Sequence, residues 1–166
     1  ERIEVVHTWQ DEAAFLELPE RESAVRRYNL SPDRFTFLYL GNIGPVAGVD
    51  HLIRSFAQAS LPDSQLLIVG EGTQKSACMQ LASQTRANVR FLSDPEVANV
   101  PLLHSLGDIC LLPVSRGAAC SSFPSKLSGY MLSGKPVLAS VDEESDSACL
   151  VRKVGCGWTL RSEDPD

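Results

Sequence analysis

Short, continuous apolar runs recur along this chain at IEVV (3–6), FTFLYL (35–40), QLLIV (65–69), VRFL (89–92), DICLLP (108–113), KPVLAS (135–140) and CGWTL (156–160). Most do not alternate with polar residues, which is the pattern of a parallel strand covered by helices on both faces of its sheet. The segments between them have helical spacing. Val49, Leu52, Ile53, Phe56 and Ala57 fall at i, i+3, i+4, i+7 and i+8 and make one apolar face. Segments 73–86, 99–106, 124–133 and 143–153 can also be helical. Strand and helix thus alternate without an internal repeat, which predicts an α/β fold: an open parallel sheet with right-handed crossovers and helices on both faces.

A chain of 166 residues, 43% hydrophobic and 22% charged, is long enough for one well-buried core, so residues 1–166 are expected to form a single domain with 1–34 as a lead-in. The formal charge of −6 argues against a nucleic-acid partner, which normally requires a basic face. Any anion site must therefore be local. No run reaches the roughly 18 apolar residues of a spanning helix, and ERIEVV does not resemble a secretion signal. Cys78, Cys110, Cys120, Cys149 and Cys156 are odd in number and form no C-x-x-C, so buried thiols in a reducing, cytoplasmic setting are expected. His7, His51 and His104 lack metal-ligand spacing, and no metal is expected. Trp9 and Trp158 read as packing residues near the two ends. The chain begins at Glu1 and stops in SEDPD, which suggests a domain excised from a longer protein.

In an open parallel sheet ligands sit beyond the carboxyl ends of the strands, so four loops matter. GNIGPVAG (41–48) leads into the amphipathic helix, and its glycines let backbone N–H groups approach a phosphate. Its spacing matches neither the dinucleotide fingerprint nor a P-loop. In GEGT (70–73), Glu71 can accept from a ligand or cap the next helix. FLSDPE (91–96) places Asp94 before a proline, a turn first and a base-binding loop second. The fourth loop, PVSRGAACSSFPSKL (113–127), lies within a stretch from Ile109 to Val141 that has Arg116, Lys126 and Lys135 but no Asp or Glu. Ser121 or Ser122 can cap the helix that follows, Pro124 suits its first turn, and Lys126 would project beside the N-terminal dipole. A lysine is unfavourable there unless an anion is near; a solvated lysine is the plain alternative.

In order, FTFLYLGNIGPVAGVDHLI, QLLIVGEG, VRFLSDPE, LGDICLLPV, PSKLSGYMLSGKPVLAS and GCGWTL resemble the C-terminal, donor-binding domain of GT-B-fold retaining glycosyltransferases, the glycosyl transferases group 1. VVHTWQDEAAF resembles the interdomain stretch of that family, and GNIG with PSKL resembles its polysaccharide-assembly subgroup. The resemblance implies a Rossmann-like sheet, the C-terminal half of a GT-B fold. It further implies a nucleotide-sugar donor, a saccharide or lipid-linked acceptor held by an N-terminal domain outside this chain, no required metal or cofactor, and peripheral association of the full-length protein with the inner face of the cytoplasmic membrane.

Carried over by residue, the resemblance puts the donor diphosphate against Gly41, Asn42, Ile43, Gly44, Ser125, Lys126 and Leu127, the nucleoside near Glu71 and Asp94, and the sugar or phosphate near Ser121 and Ser122. It names no catalytic residue. The loop arginine and lysine usual in the family fall here on Asn42 and Ala47, and its glutamate pair falls on Ser121 and Gly129. Those departures keep two other readings open, a non-catalytic GT-B-like binding or assembly module and a nucleotide-sugar epimerase of the same fold. Under any of these readings the isolated domain would be inactive, since half the active site would be missing.

Overall fold

The computed structural model describes residues 10–93, 96, 99–116, 118 and 123–161. Six parallel strands form one sheet in the order β3-β2-β1-β4-β5-β6. They are β1 (Phe35–Leu40), β2 (Ser64–Val69), β3 (Val89–Leu92), β4 (Ile109–Pro113), β5 (Val137–Val141) and β6 (Gly157–Arg161). The helices between them are α2 (Val49–Ala59), α3 (Lys75–Ser83), α4 (Val100–Leu106), α5 (Lys126–Leu132) and α6 (Asp146–Val154), with α1 (Arg21–Arg27) ahead of the sheet. The expected Rossmann-like α/β class is what the chain adopts, and six of the seven apolar runs are strands to within two residues. IEVV (3–6) lies outside the described residues, as do His7, Trp9 and Cys120.

The continuous apolar runs are explained by two cores, one on each face. Leu38, Leu67, Val69, Cys110 and Leu112 point to one side, where they meet α1, α4, α5 and α6. Their neighbours Tyr39, Leu66, Ile68 and Leu111 point to the other, under Val49, Ile53 and Phe56 of α2 and Cys78 of α3. Successive side chains leave a strand on opposite faces, so a strand covered on both must be apolar throughout. β2 is buried along its whole length.

The lead-in at 1–34 carries more structure than the sequence reading gave it. A 3₁₀ turn at Glu12–Phe15 and α1 both belong to the packed domain. Arg21 Nη1 donates to Asp108 Oδ1 at 2.7 Å, while Asp108 Oδ2 accepts the Thr36 N–H at 2.7 Å. One carboxylate thus ties α1 to the starts of β1 and β4. Other expectations need correction. Trp158 is 62% exposed on the edge strand β6 and packs little, and Cys149 is exposed on α6 whereas Cys78 and Cys110 are buried thiols.

Candidate functional site

The strand order reverses between β1 and β4, which places a crevice at their carboxyl ends, the position where open α/β sheets take ligands. Register explains why it opens there: β1 pairs along all six residues with β2, but with β4 only through Phe37 and Leu38. The loop after β1 and the segment after β4 therefore diverge. They meet again lower down, where the Ser115 N–H donates to the Val46 carbonyl at 3.1 Å.

The glycine loop is braced against GEGT. The Ile43 N–H donates to the Glu71 carbonyl at 2.7 Å, and the Gln74 N–H to the Ile43 carbonyl at 2.9 Å. A Cβ on Gly70 would sit 1.9 Å from the Gly41 oxygen, so the two loops can touch only because that position lacks a side chain. Ile43 is itself fully buried, a core anchor whose side chain faces away from any ligand. Of the loop amides expected to cradle a diphosphate, those of Gly41 and Ile43 are taken by Val69 and Glu71. Those of Asn42 and Gly44 carry no hydrogen bond among the described residues.

Lys126 opens α5 and reaches across the top of the sheet from one core layer to the other. Its Nζ donates to the Tyr39 hydroxyl at 3.0 Å and lies 4.3 Å from the centroid of that ring. Tyr39 in turn donates to the Asn42 carbonyl at 2.6 Å, so one phenol holds both the lysine and the glycine loop. Gly41 makes the passage: a Cβ there would lie 3.0 Å from Lys126 Nζ and 3.1 Å from its Cε. No carboxylate among the described residues pairs with Lys126. Desolvation lowers its pKa from 10.5 to about 8. At neutral pH it is a mostly charged, poorly hydrated ammonium with only a phenol and a π face to compensate it.

Around it, α5 starts later than expected. Ser125 occupies the N-cap position without a side-chain cap, and Pro124 precedes it, its carbonyl accepting the Leu127 N–H at 3.1 Å. The Ser125 and Lys126 amides have no partner among the described residues. Leu127 is fully buried and supports the turn from below. Tyr130, one turn on, sends its hydroxyl to the end of β1, where it accepts the Leu40 N–H at 3.1 Å. Sequence reasoning missed both tyrosines; their signal was a hydroxyl-bearing aromatic at the end of an apolar run, where a buried Tyr needs a partner.

The other expected residues divide. Glu71 is exposed and pairs with Lys75 Nζ at 2.6 Å; that ammonium also donates to Ser93 Oγ at 2.5 Å. The Lys75 and Ser93 hydrogen bonds hold its carboxyl below the usual range, and Glu71 does not cap α3. Asp94, Ser121 and Ser122 lie outside the described residues. Lys135 belongs to the opposite end of the sheet, before β5, where its Nζ approaches the Ser105 carbonyl at 3.5 Å. The carboxylate-free stretch thus supplies Lys126 to the crevice but not Lys135. Beside Lys126 a cleft of about 270 Å³ is lined by Gln10, Leu40, Val100, His104, Ser125, Ser128 and Gly129. Among the described residues no group of three His, Cys, Asp or Glu side chains could hold a metal ion. No helix among them is long and apolar enough to cross a membrane.

Residues 20–164 match the family model described as glycosyl transferases group 1. A curated relative named as a colanic acid biosynthesis glycosyl transferase of Escherichia coli K12 is 32% identical over 131 residues, 76% of this chain and 32% of that protein. A GDP-mannose-dependent phosphatidylinositol monomannoside mannosyltransferase of Corynebacterium glutamicum is 34% identical over 98 residues, 57% of this chain and 26% of its own length. The chain therefore spans about a third or less of these relatives. Among solved structures, Anabaena HepE in complex with UDP-glucose superposes with a TM-score of 0.78 at 21% identity, over 96% of this chain and 44% of that one. The C-terminal domain of the group 1 protein LpcC of Francisella tularensis gives 0.69 at 16% identity, over 93% and 81%.

Proposed function

Because this chain belongs to the glycosyl transferases group 1 family and has the fold of a GT-B C-terminal domain, we propose that its crevice binds the diphosphate of a nucleotide-sugar donor through Lys126. The observation that carries this reading is a largely buried ammonium, unpaired with any described carboxylate, at the switch point of the sheet. Such a charge is costly to bury and becomes favourable when an anion arrives. The Asn42, Gly44, Ser125 and Lys126 amides extend the same invitation, aimed by loops that glycines and tyrosines hold in place. Glu71 and Asp94 then fall to the nucleoside side, and Ser121 and Ser122 to the sugar or phosphate.

In transfer, negative charge grows on the departing diphosphate, and a preorganised ammonium in a site of low polarity stabilises it without reorganisation. This assigns Lys126 an electrostatic role rather than acid–base work. It does so with no metal, with retention at the anomeric carbon, and with the acceptor held by a further domain. The HepE complexes contain UDP and UDP-glucose, and the Corynebacterium relative is named for GDP-mannose, so those two donors are the first to try.

Calorimetric titration of the full-length protein with UDP, GDP and dTDP tests the reading. Binding of one diphosphate at micromolar to submillimolar concentration is expected, with a loss of about tenfold or more in Lys126→Ala, since a charge-assisted hydrogen bond contributes about 1.5–3 kcal/mol. No binding of any diphosphate at millimolar concentration would favour a non-catalytic module instead. Tight binding indifferent to Lys126→Ala would remove the lysine from the site.

A further inference from the structure

His104 is an unused polar group in the same cleft. It sits on α4 and is 2% exposed, its ring tilted against Phe15 and Tyr130 at centroid distances of 5.6 and 5.4 Å. Nδ1 hydrogen-bonds Ser133 Oγ. Ser133 has a single proton, and its hydroxyl donates to the Gly129 carbonyl at 2.7 Å. Nδ1 is then the donor, Ser133 the acceptor, and the imidazole is fixed as the Nδ1–H tautomer. The two atoms beyond Nδ1 are also placed. Cε1 lies 3.0 Å from where a Cβ on Gly129 would be, and the Gln10 amide oxygen and nitrogen lie 3.4 and 3.5 Å from the same point, so the absent side chain leaves room for the ring and Gln10 in the cleft wall. Nε2 has no hydrogen-bond partner among the described residues, in a ring that lines the cleft.

A neutral imidazole in that tautomer presents a lone pair at Nε2 and no proton. It complements an O–H or N–H donor and opposes a phosphate oxygen, which only accepts. Lys126, in the wall of the same cleft, has the reverse preference. The two side chains therefore sort a ligand that is phosphate at one end and hydroxyl-rich at the other. Resting on the reading of the cleft as a nucleotide-sugar site, we propose that His104 is a specificity-determining residue that accepts a hydrogen bond from a hydroxyl of the donor's sugar, its tautomer held by Ser133 and its place in the cleft wall allowed by Gly129. Burial is the main reason its pKa falls from 6.5 to about 4, with the Lys135 charge acting the same way and the Gly129 carbonyl opposing. The acceptor form persists through the neutral range.

The test compares UDP with UDP-glucose, and GDP with GDP-mannose, by titration of the full-length protein and its His104→Phe, His104→Gln and Ser133→Ala variants. Phenylalanine keeps the aromatic packing but removes the acceptor, whereas glutamine can return an acceptor oxygen near Nε2. For whichever pair binds, His104→Phe is expected to weaken the sugar nucleotide about tenfold, the size of one lost hydrogen bond to a buried partner, and the free nucleotide less than twofold. His104→Gln should recover most of that loss, and Ser133→Ala should show part of it. Equal loss for nucleotide and sugar nucleotide, or no loss for either, overturns the role of His104 while leaving the nucleotide site standing. A wild-type protein that binds neither pair overturns both. Unfolding midpoints of each variant separate misfolding from lost recognition.

Discussion

Replacing Lys126 by methionine should make the protein more stable and less able to bind its ligand, and the stability gain should depend on pH in a defined way. In the unfolded chain the lysine titrates near 10.5, and in the fold near 8. Below pH 8 both states are protonated and the fold bears the full cost of the desolvated charge, roughly 3 kcal/mol for that separation of pKa values. Between pH 8 and 10.5 the unfolded state holds a proton that the native state has released, so wild-type stability rises with pH relative to the methionine variant. Worked through the two titration curves, the gap between Lys126→Met and wild type should shrink by about 2 kcal/mol from pH 7 to pH 9.5. The Tyr39 hydrogen bond and ring contact favour the charged form and so oppose that desolvation. Urea unfolding of both proteins at the two pH values gives the answer, because other groups titrating in that window cancel in the difference. A gap that stays constant, or widens with pH, would show that the ammonium is not held in a desolvated site. A saturating nucleoside diphosphate should narrow the gap at pH 7 by about 1.5–3 kcal/mol, because it stabilises wild type more than the variant.

Asp108→Ala should cost about 2–3 kcal/mol, because it strips the buried Thr36 N–H of its acceptor and Arg21 of its partner; nucleotide affinity, read on the folded protein, should stay within twofold. Gly41→Ala is expected to displace Lys126 and weaken diphosphate binding about tenfold or more, while Gly70→Ala, whose Cβ would meet the Gly41 oxygen at 1.9 Å, should lower the unfolding midpoint by well over the 2–4 °C that about 1 kcal/mol brings in a chain of this size. A Gly70→Ala protein as stable as wild type would refute the contact between the two loops. His104 should add an acid sensitivity. The unfolded state takes up a proton below 6.5 that the buried ring refuses until about 4, so stability falls by about 2 kcal/mol from pH 8 to pH 5, and His104→Phe should lose that slope.

The alternation of apolar runs with helical faces was enough to specify six parallel strands, because strands covered on both faces must be apolar at every position. The ordered motifs likewise pointed to the family, and the charge asymmetry around PSKL pointed to Lys126. What remained hidden were features that depend on long-range approach. α1 has the composition of a solvated segment, yet Ala24 and Val25 enter the core and the Arg21–Asp108 bond across 87 residues ties the helix down. Lys126 and Lys135 share one carboxylate-free stretch in the sequence, yet the length of β5 lies between Lys135 and the carboxyl ends, so the two sit at opposite ends of the strands.

Tyr39, Tyr130 and His104 carried no local signal, because Lys126, Leu40 and Ser133, which their polar atoms meet, lie 29 to 90 residues away. Sequence by itself determined the class of fold, the family and the one lysine worth testing, since these follow from local periodicity and local charge. Tertiary structure decided which amides of the glycine loop are already engaged, why Gly41 must lack a side chain, and that a phenol holds the ammonium. It also decided that an imidazole faces the same cleft. The physical reason is that desolvation and hydrogen-bond satisfaction are set by neighbours brought together across the sheet, and no window of sequence contains them.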